Sequence, residues 1–281
     1  MTEDTNCEIH GDEAVSAVHQ VLLRLTQPCE DNFMTTKQHS RSQIDVHRSH
    51  QRFHTEISWL DSHHSFSFSD HYDPHNTHHG LLLVSNDDVV TPNTGFRTHP
   101  HQDMEIVTWV LDGELEHKDS EGNTGILYPG LAQRMSAGTG IWHSEMNPQK
   151  DKEVHFIQMW VPPDTERINP SYEQLDINRE LERGGLIPIA SGRGHEAAIS
   201  IKQQGAVLWG GRLKPGGSVQ VPDAPYVHLF IAKGNAELEG AGVLHTGDAV
   251  RLAAAGARRL TADASTGTEV LIWETNQDLE V

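Results

Sequence analysis

Two tripeptides constrain this chain more than anything else in it: His99-Pro100-His101 and His143-Ser144-Glu145. In each, two residues able to bind a metal stand two apart. On a β-strand, residues i and i+2 project to the same face. Each dyad can therefore aim both side chains at one point. Two such strands facing each other inside a small barrel would surround a cation with three imidazoles and one carboxylate.

The stretch between the dyads reads as strands. MEIVTWVLDGELEH (104–117) alternates around Ile106, Thr108 and Val110, and Asp112-Gly113 predicts a hairpin turn. Further turns are expected at Ser120-Glu121-Gly122-Asn123 and at Pro129-Gly130. LAQRMS (131–136) is another short strand, after which Gly138 and Gly140 re-aim the chain into His143. Short strands punctuated this closely by turns predict a β-barrel or sandwich.

HPHQDMEIVTWVLDGELEHKDSEGN followed by AGTGIWHSE resembles the pirin family of the cupin superfamily. The resemblance extends to WLDSHHSFSFSDHYDP (59–74) and VHFIQMWVPP (154–163), and it covers residues 50–275. It implies an all-β bicupin, two consecutive cupin β-barrels in one chain, with metal in the N-terminal barrel alone. The family's ligand positions fall on His99, His101, His143 and Glu145. It also implies an enzyme, a quercetin 2,3-dioxygenase, acting on a small aromatic flavonol and O2. In that chemistry the flavonol 3-hydroxyl ionises, Glu145 serves as the catalytic base, and carbon monoxide leaves. The alternative it carries is a metal- or redox-sensing regulatory module that docks on a protein partner such as a transcription factor.

The donor set supports that chemistry independently. Three imidazoles and one carboxylate, with no thiolate, suit a divalent transition metal rather than a zinc-finger site. Fe(II) is the first choice, with Mn, Co, Ni, Cu and Zn open. Four protein ligands on an octahedral ion leave about two positions for water, dioxygen or substrate.

Composition narrows the partners. A formal charge of −19 over 281 residues disfavours direct binding to nucleic acid or to an anionic membrane. No run approaches the ~18 apolar residues of a membrane helix. The acidic start MTEDTNCEIHGDE has no signal-peptide core, so the expected address is cytoplasmic. Cys7 and Cys29 form no CxxC and supply no disulfide framework for the body. Of 20 histidines, 14 lie at or before His101. One site cannot use them all, so most are expected to form a polar surface.

Along the chain, residues 1–50 are expected to be an extension, partly disordered. Val15, Val18, Leu22 and Leu25 space out one helix over 12–25. Residues 51–165 make the first barrel and 166–190 a Pro- and Gly-rich linker with a short helical turn. Residues 191–281 make the second barrel. Gly234-Asn235 is its expected hairpin turn, and His228 and His245 stand alone there. SFSFSD (65–70) reads as a half-buried strand, near which His63, His64, His71 and His75 are candidate pocket residues. Trp142 and Phe68 are either pocket walls or core. Glu105, on the alternation of His99 and His101, is expected to orient an imidazole by accepting its distal N–H. His117 and His155 are expected in the barrel wall, and Asn147 in packing and a turn.

Overall fold

The computed structural model describes residues 43–196 and 199–279. The helix expected over 12–25 and both cysteines lie outside them. No helix among the described residues is long and apolar enough to cross a membrane.

The first barrel is two antiparallel sheets. One has seven strands, in the order Ser171–Asp176, Leu131–Ser136, Glu105–Asp112, Val154–Val161, Val84–Val90, Leu60–His64, Phe53–Glu56. The other has four: Gly95–His101, Ile141–Met146, Leu115–Asp119, Thr124–Leu127. The second barrel is a branched ten-stranded sheet around the long strand Tyr226–Leu238, which pairs with strands of both branches.

Several turns expected from the sequence do different work. Asp112-Gly113 does not close a hairpin. Glu105–Asp112 pairs with Leu131–Ser136 and Val154–Val161, whereas Leu115–Asp119 pairs with Ile141–Met146 and Thr124–Leu127. Gly113 (φ +79°) turns the chain from one sheet to the other, where an added Cβ would lie 2.5 Å from the Glu153 carbonyl oxygen. Gly234 likewise sits inside Tyr226–Leu238, just past a register shift between Ile231 and Lys233. A bulge of this kind bends a strand and lets it change sheets. The turn at 120–123 does join a hairpin, Leu115–Asp119 with Thr124–Leu127. SFSFSD is not a strand: after Leu60–His64 the chain bends, with Phe66 in the core.

Gln43–His47, assigned above to a partly disordered extension, is an edge strand of the second barrel. It pairs with Ala249–Ala253, and Ile44 and Val46 pack on that barrel's core. Alternation in QIDVH was its signal. In the expected linker, Ser171–Asp176 joins the first barrel's sheet, and the helical turn is Asn178–Leu181.

The largest apolar cluster lies between the barrels. Val107, Trp109, Leu111, Ile157, Met159 and Val161 from the first meet Ile189, Leu208, Phe230, Leu271 and Trp273 from the second. The alternate residues Ile106, Val110, Phe156 and Trp160 face the first barrel's interior clusters. Both faces of these two strands are therefore covered, and every residue from Glu105 to Leu111 is buried. Polar contacts also cross the seam. Trp109 Nε1 donates to Glu269 Oε1 at 2.9 Å, and that carboxylate also accepts from Arg212 Nε at 3.2 Å. Lys233 Nζ donates to the Leu111 carbonyl at 2.6 Å.

Trp109→Phe keeps most of the buried ring and removes the donor to a buried carboxylate. It should cost about 1–3 kcal/mol, read as a lower urea midpoint. An unchanged midpoint would show that this bond does not tie the barrels together.

Candidate metal centre

The two dyads lie on neighbouring strands of the four-stranded sheet, not on strands facing each other. Gly95–His101 and Ile141–Met146 run antiparallel, with His143 directly opposite His99 and Ile141 opposite His101. Direct pairing puts two imidazoles side by side, and the i, i+2 rule adds His101 to the same face. The three ring centroids lie 4.4 Å (His99–His143), 4.8 Å (His99–His101) and 4.8 Å (His101–His143) apart. Their ligand-type nitrogens all fall within 4.8 Å of one another.

Glu145 reaches the same interior through an irregularity. The register shifts between His143 and Glu145, so that Glu145 pairs with Phe96 and two residues, Arg97 and Thr98, stand opposite Ser144. That is a β-bulge, a device that re-aims side chains. Its carbonyl has a second use: Arg97 O lies 2.7 Å from His99 Nδ1. A carbonyl only accepts, so Nδ1 carries the proton and the His99 Nε2 lone pair is left for another partner. The Glu145 carboxylate is held from the opposite sheet. Thr108 Oγ1 donates to Oε1 at 3.3 Å and Gln158 Nε2 to Oε2 at 2.6 Å.

The electrostatics fit a cation. His101 is 3% exposed and His143 1%, and neither nitrogen of either ring has a hydrogen-bond partner. Buried polar atoms without partners are rare and costly. Burial, with neighbouring imidazoles, pushes both rings well below the ordinary histidine pKa, so they are neutral with lone pairs available. Neutral imidazole is the form that ligates. Three imidazoles beside one carboxylate, without sulfur, fit a divalent transition metal.

His117, expected in the wall, is more closely involved. It is fully buried, its Nε2 lies 3.2 Å from Asp119 Oδ2, and its Nδ1 has no partner. Its ring centroid is 5.4 Å from that of His143, and it groups with His143 and Glu145 within 4.8 Å. Glu105 is a correction. Its Oε2 accepts from Ser136 Oγ at 2.9 Å and from the Lys202 N–H at 3.0 Å, across the seam. It orients no imidazole. Asp103 (φ +48°) turns the chain after His101, and Glu105 begins a strand of the other sheet. Trp142 is 51% exposed and neither lines the cavity nor joins the core. With His143 and Glu145 inward, the alternation sends it outward. Asn147 packs as expected, donating to the Val90 and Lys152 carbonyls. His155 reaches Asp87 Oδ1 at 2.6 Å.

The triad opens onto a cavity of about 440 Å³, within the size range of small-molecule sites. Trp59, Phe68, Phe96 and Trp160 wall it, and Ser62, His64, Asn86, Asp88, Glu145 and Gln158 supply polar atoms. Among the four histidines named earlier, His64 lines it. His71 contacts Thr55 Oγ1 at 3.0 Å behind the wall, whereas His63 and His75 do not line it. Asp88, Ser62 and Gln158 were not singled out from the sequence. A Gln in the apolar run VHFIQMWV and an Asp in LLLVSNDDVV were the available signals.

An antiparallel barrel that gathers histidines on one face, joined to a second barrel whose described residues hold no such cluster, defines a two-domain cupin. The pirin family model matches residues 45–161, and a model described as the quercetinase C-terminal cupin domain matches 188–275. A Mycobacterium tuberculosis protein, named provisionally as a quercetin 2,3-dioxygenase, is 57% identical over 237 residues, 84% of this chain and 96% of its own. The Escherichia coli K12 quercetin 2,3-dioxygenase is 38% identical over 198 residues, 70% of this chain and 84% of its own. The crystal structure of the E. coli pirin YhhW in complex with nickel(II) superposes with a TM-score of 0.76. It is 33% identical and covers 84% of this chain and 100% of its own. The chain belongs to the pirin family.

Asp88 gives the cavity a pH dependence. Burial raises its pKa to about 7, against the pull of the Ser62 hydroxyl that donates to it, with the charges of Asp87 and Glu145 adding to the rise. Between 3.8 and about 7 the folded metal-free chain holds a proton that the unfolded chain has released. Its contribution to stability therefore falls as pH rises through that window and is flat above it, with a slope on the order of 1 kcal/mol per pH unit. Asp88→Asn should raise the thermal midpoint of chelator-treated protein at pH 8 and lose that advantage towards pH 4. An advantage that does not change with pH would refute the raised pKa.

Proposed function

We propose that this pirin is a metal-dependent dioxygenase that cleaves a flavonol such as quercetin, or a related aromatic molecule, with O2. One observation carries the reading. The ligand-type nitrogens of His99, His101 and His143 lie within 4.8 Å of one another, and Glu145 lines the same aromatic-walled cavity as His99 and His101. His99, His101, His143 and Glu145 would hold the ion, Fe(II) in the first instance. A divalent metal bound there supplies a Lewis acid that favours an ionised hydroxyl and a redox-capable centre for oxygen chemistry.

The chain's own residues supply position and proton transfer. Trp59, Phe96 and Trp160 offer ring faces and edges to a flat aromatic guest, and Phe68 packs edge-on against Trp160 with centroids 5.7 Å apart. Glu145 is the base for the substrate hydroxyl. Gln158 holds Oε2 at 2.6 Å, so Oε1, with its longer 3.3 Å contact, is the oxygen better placed to take the proton. Nearby, Ser62, Asn86 and Asp88 provide hydrogen-bonding atoms for further hydroxyls. The relatives named for quercetin cleavage and the nickel-bound pirin support the same assignment.

Two variants test it. His101→Ala should weaken metal binding at least about tenfold while leaving the barrel folded, read by mass spectrometry of metal content. Unchanged content would move the site elsewhere. Glu145→Gln should keep or weaken metal and lower turnover of quercetin about a hundredfold or more, followed by loss of the flavonol's visible band in air. Activity near wild type would remove Glu145 as the base. No turnover by wild-type protein loaded with Fe, Mn, Co, Ni or Cu would sink the dioxygenase reading in favour of a regulatory binding module.

A further inference from the structure

The hairpin formed by Phe53–Glu56 and Leu60–His64 is the outermost element of the seven-stranded sheet. Its two faces differ. The inner face turns Thr55, Ser62 and His64 to the cavity. The outer face carries His54, Glu56, Asp61 and His63, with His54 directly opposite His63 and Glu56 directly opposite Asp61. All four are residue types that bind metals.

Their geometry is close to what an ion needs. His54 Nε2 is 2.8 Å and His63 Nδ1 3.5 Å from the same oxygen, Asp61 Oδ1. The ligand-type atoms of His54, Asp61 and His63 all lie within 4.8 Å of one another. We propose that His54, Asp61 and His63 form a second, solvent-facing site for a borderline divalent cation such as Zn(II), one that clips the edge strand to its neighbour.

Tetrahedral zinc with bonds of about 2.0–2.1 Å holds its donor atoms roughly 3.3 Å apart, and the 2.8 Å and 3.5 Å separations straddle that value. The imidazoles now stack, with centroids 4.2 Å apart and planes 16° apart. A shared ion requires each ring to rotate about Cβ–Cγ until both lone pairs meet at one point, and the His54 ring faces solvent. Three protein ligands leave the fourth position to water. Two charge observations favour a cation here. Glu56 and Asp61 place like charges directly opposite across the strands, an arrangement that destabilises a sheet until something neutralises it. The neighbouring cation, Arg52, is engaged with Asp87 at 2.8 Å.

The inference is independent of the dioxygenase reading, because the outer face of the hairpin takes no part in the cavity. The test is calorimetric titration of the full-length, chelator-treated chain with Zn(II), with metal equivalents counted by mass spectrometry. His54→Ala/His63→Ala should bind one equivalent fewer than wild type and lose part of the zinc-dependent rise in thermal midpoint. His101→Ala should lose a different equivalent and keep this one. Asp61→Asn, which preserves shape, should weaken the accessory equivalent at least about tenfold. Other histidines contribute equally to both sides of each comparison. Identical stoichiometry and affinity in wild type and the double variant, or an Asp61→Asn titration that matches wild type, would overturn the proposal and leave an ordinary cross-strand ion pair.

Discussion

The centre of this fold is a debt of unpaired polarity. His101 and His143 are buried with no hydrogen bond to either nitrogen, and His117 has one nitrogen in the same state. Each unpartnered buried polar atom costs on the order of 1–3 kcal/mol. Protein interiors rarely tolerate several in one place. A cation that gathers the lone pairs offsets that cost and gives the arrangement a reason to exist. Burial keeps the His101 and His143 rings neutral, and neutrality keeps them ready for the ion.

What aims the rings is strand pairing, helped by one extra residue. Direct opposition of His99 and His143 needs only a regular ladder. Bringing Glu145 to the same interior requires the bulge at Arg97–Thr98, and the freed Arg97 carbonyl then settles which nitrogen of His99 is protonated. The carboxylate is restrained from across the barrel by Thr108 and Gln158. Those two residues face inward because Val107, Trp109, Ile157 and Met159 face the second barrel. The seam thus takes part in placing the candidate metal centre, although among the described residues no side chain of the second barrel lines the cavity.

The sequence was legible where period and pairing agree. LAQRMS and the 120–123 turn landed as expected, and HPH turns both its imidazoles to one face because spacing by two fixes a face whatever sheet the strand joins, although the strands of HPH and HSE are neighbours rather than facing each other. It misled where the partner strand decides the outcome. DG reads as a hairpin, yet at Gly113 it turns the chain between two sheets. Glu105 continues the count from His101, but a left-handed residue at Asp103 resets the face, and its carboxylate serves the seam. QIDVH alternates clearly, yet it pairs with a strand some two hundred residues away, so nothing nearby marked it as part of the body.

The same distinction explains why the barrels differ in kind. The strands Glu105–Asp112 and Val154–Val161 have two interiors to satisfy, and they divide their residues strictly between them. On the seam side, Glu105 turns one carboxylate oxygen, Oε2, to the Lys202 N–H of the second barrel. Polar residues on the cavity side, Thr108 and Gln158, are satisfied by Glu145. A side chain that could bind metal becomes part of the centre only if its strand turns it towards the cavity, and residue spacing alone cannot report that. The second barrel therefore acts on the first chiefly as a cover. It makes one face of the sheet an interior and leaves the other to the imidazoles, so that chemistry concentrated in two tripeptides depends on packing that spans the chain.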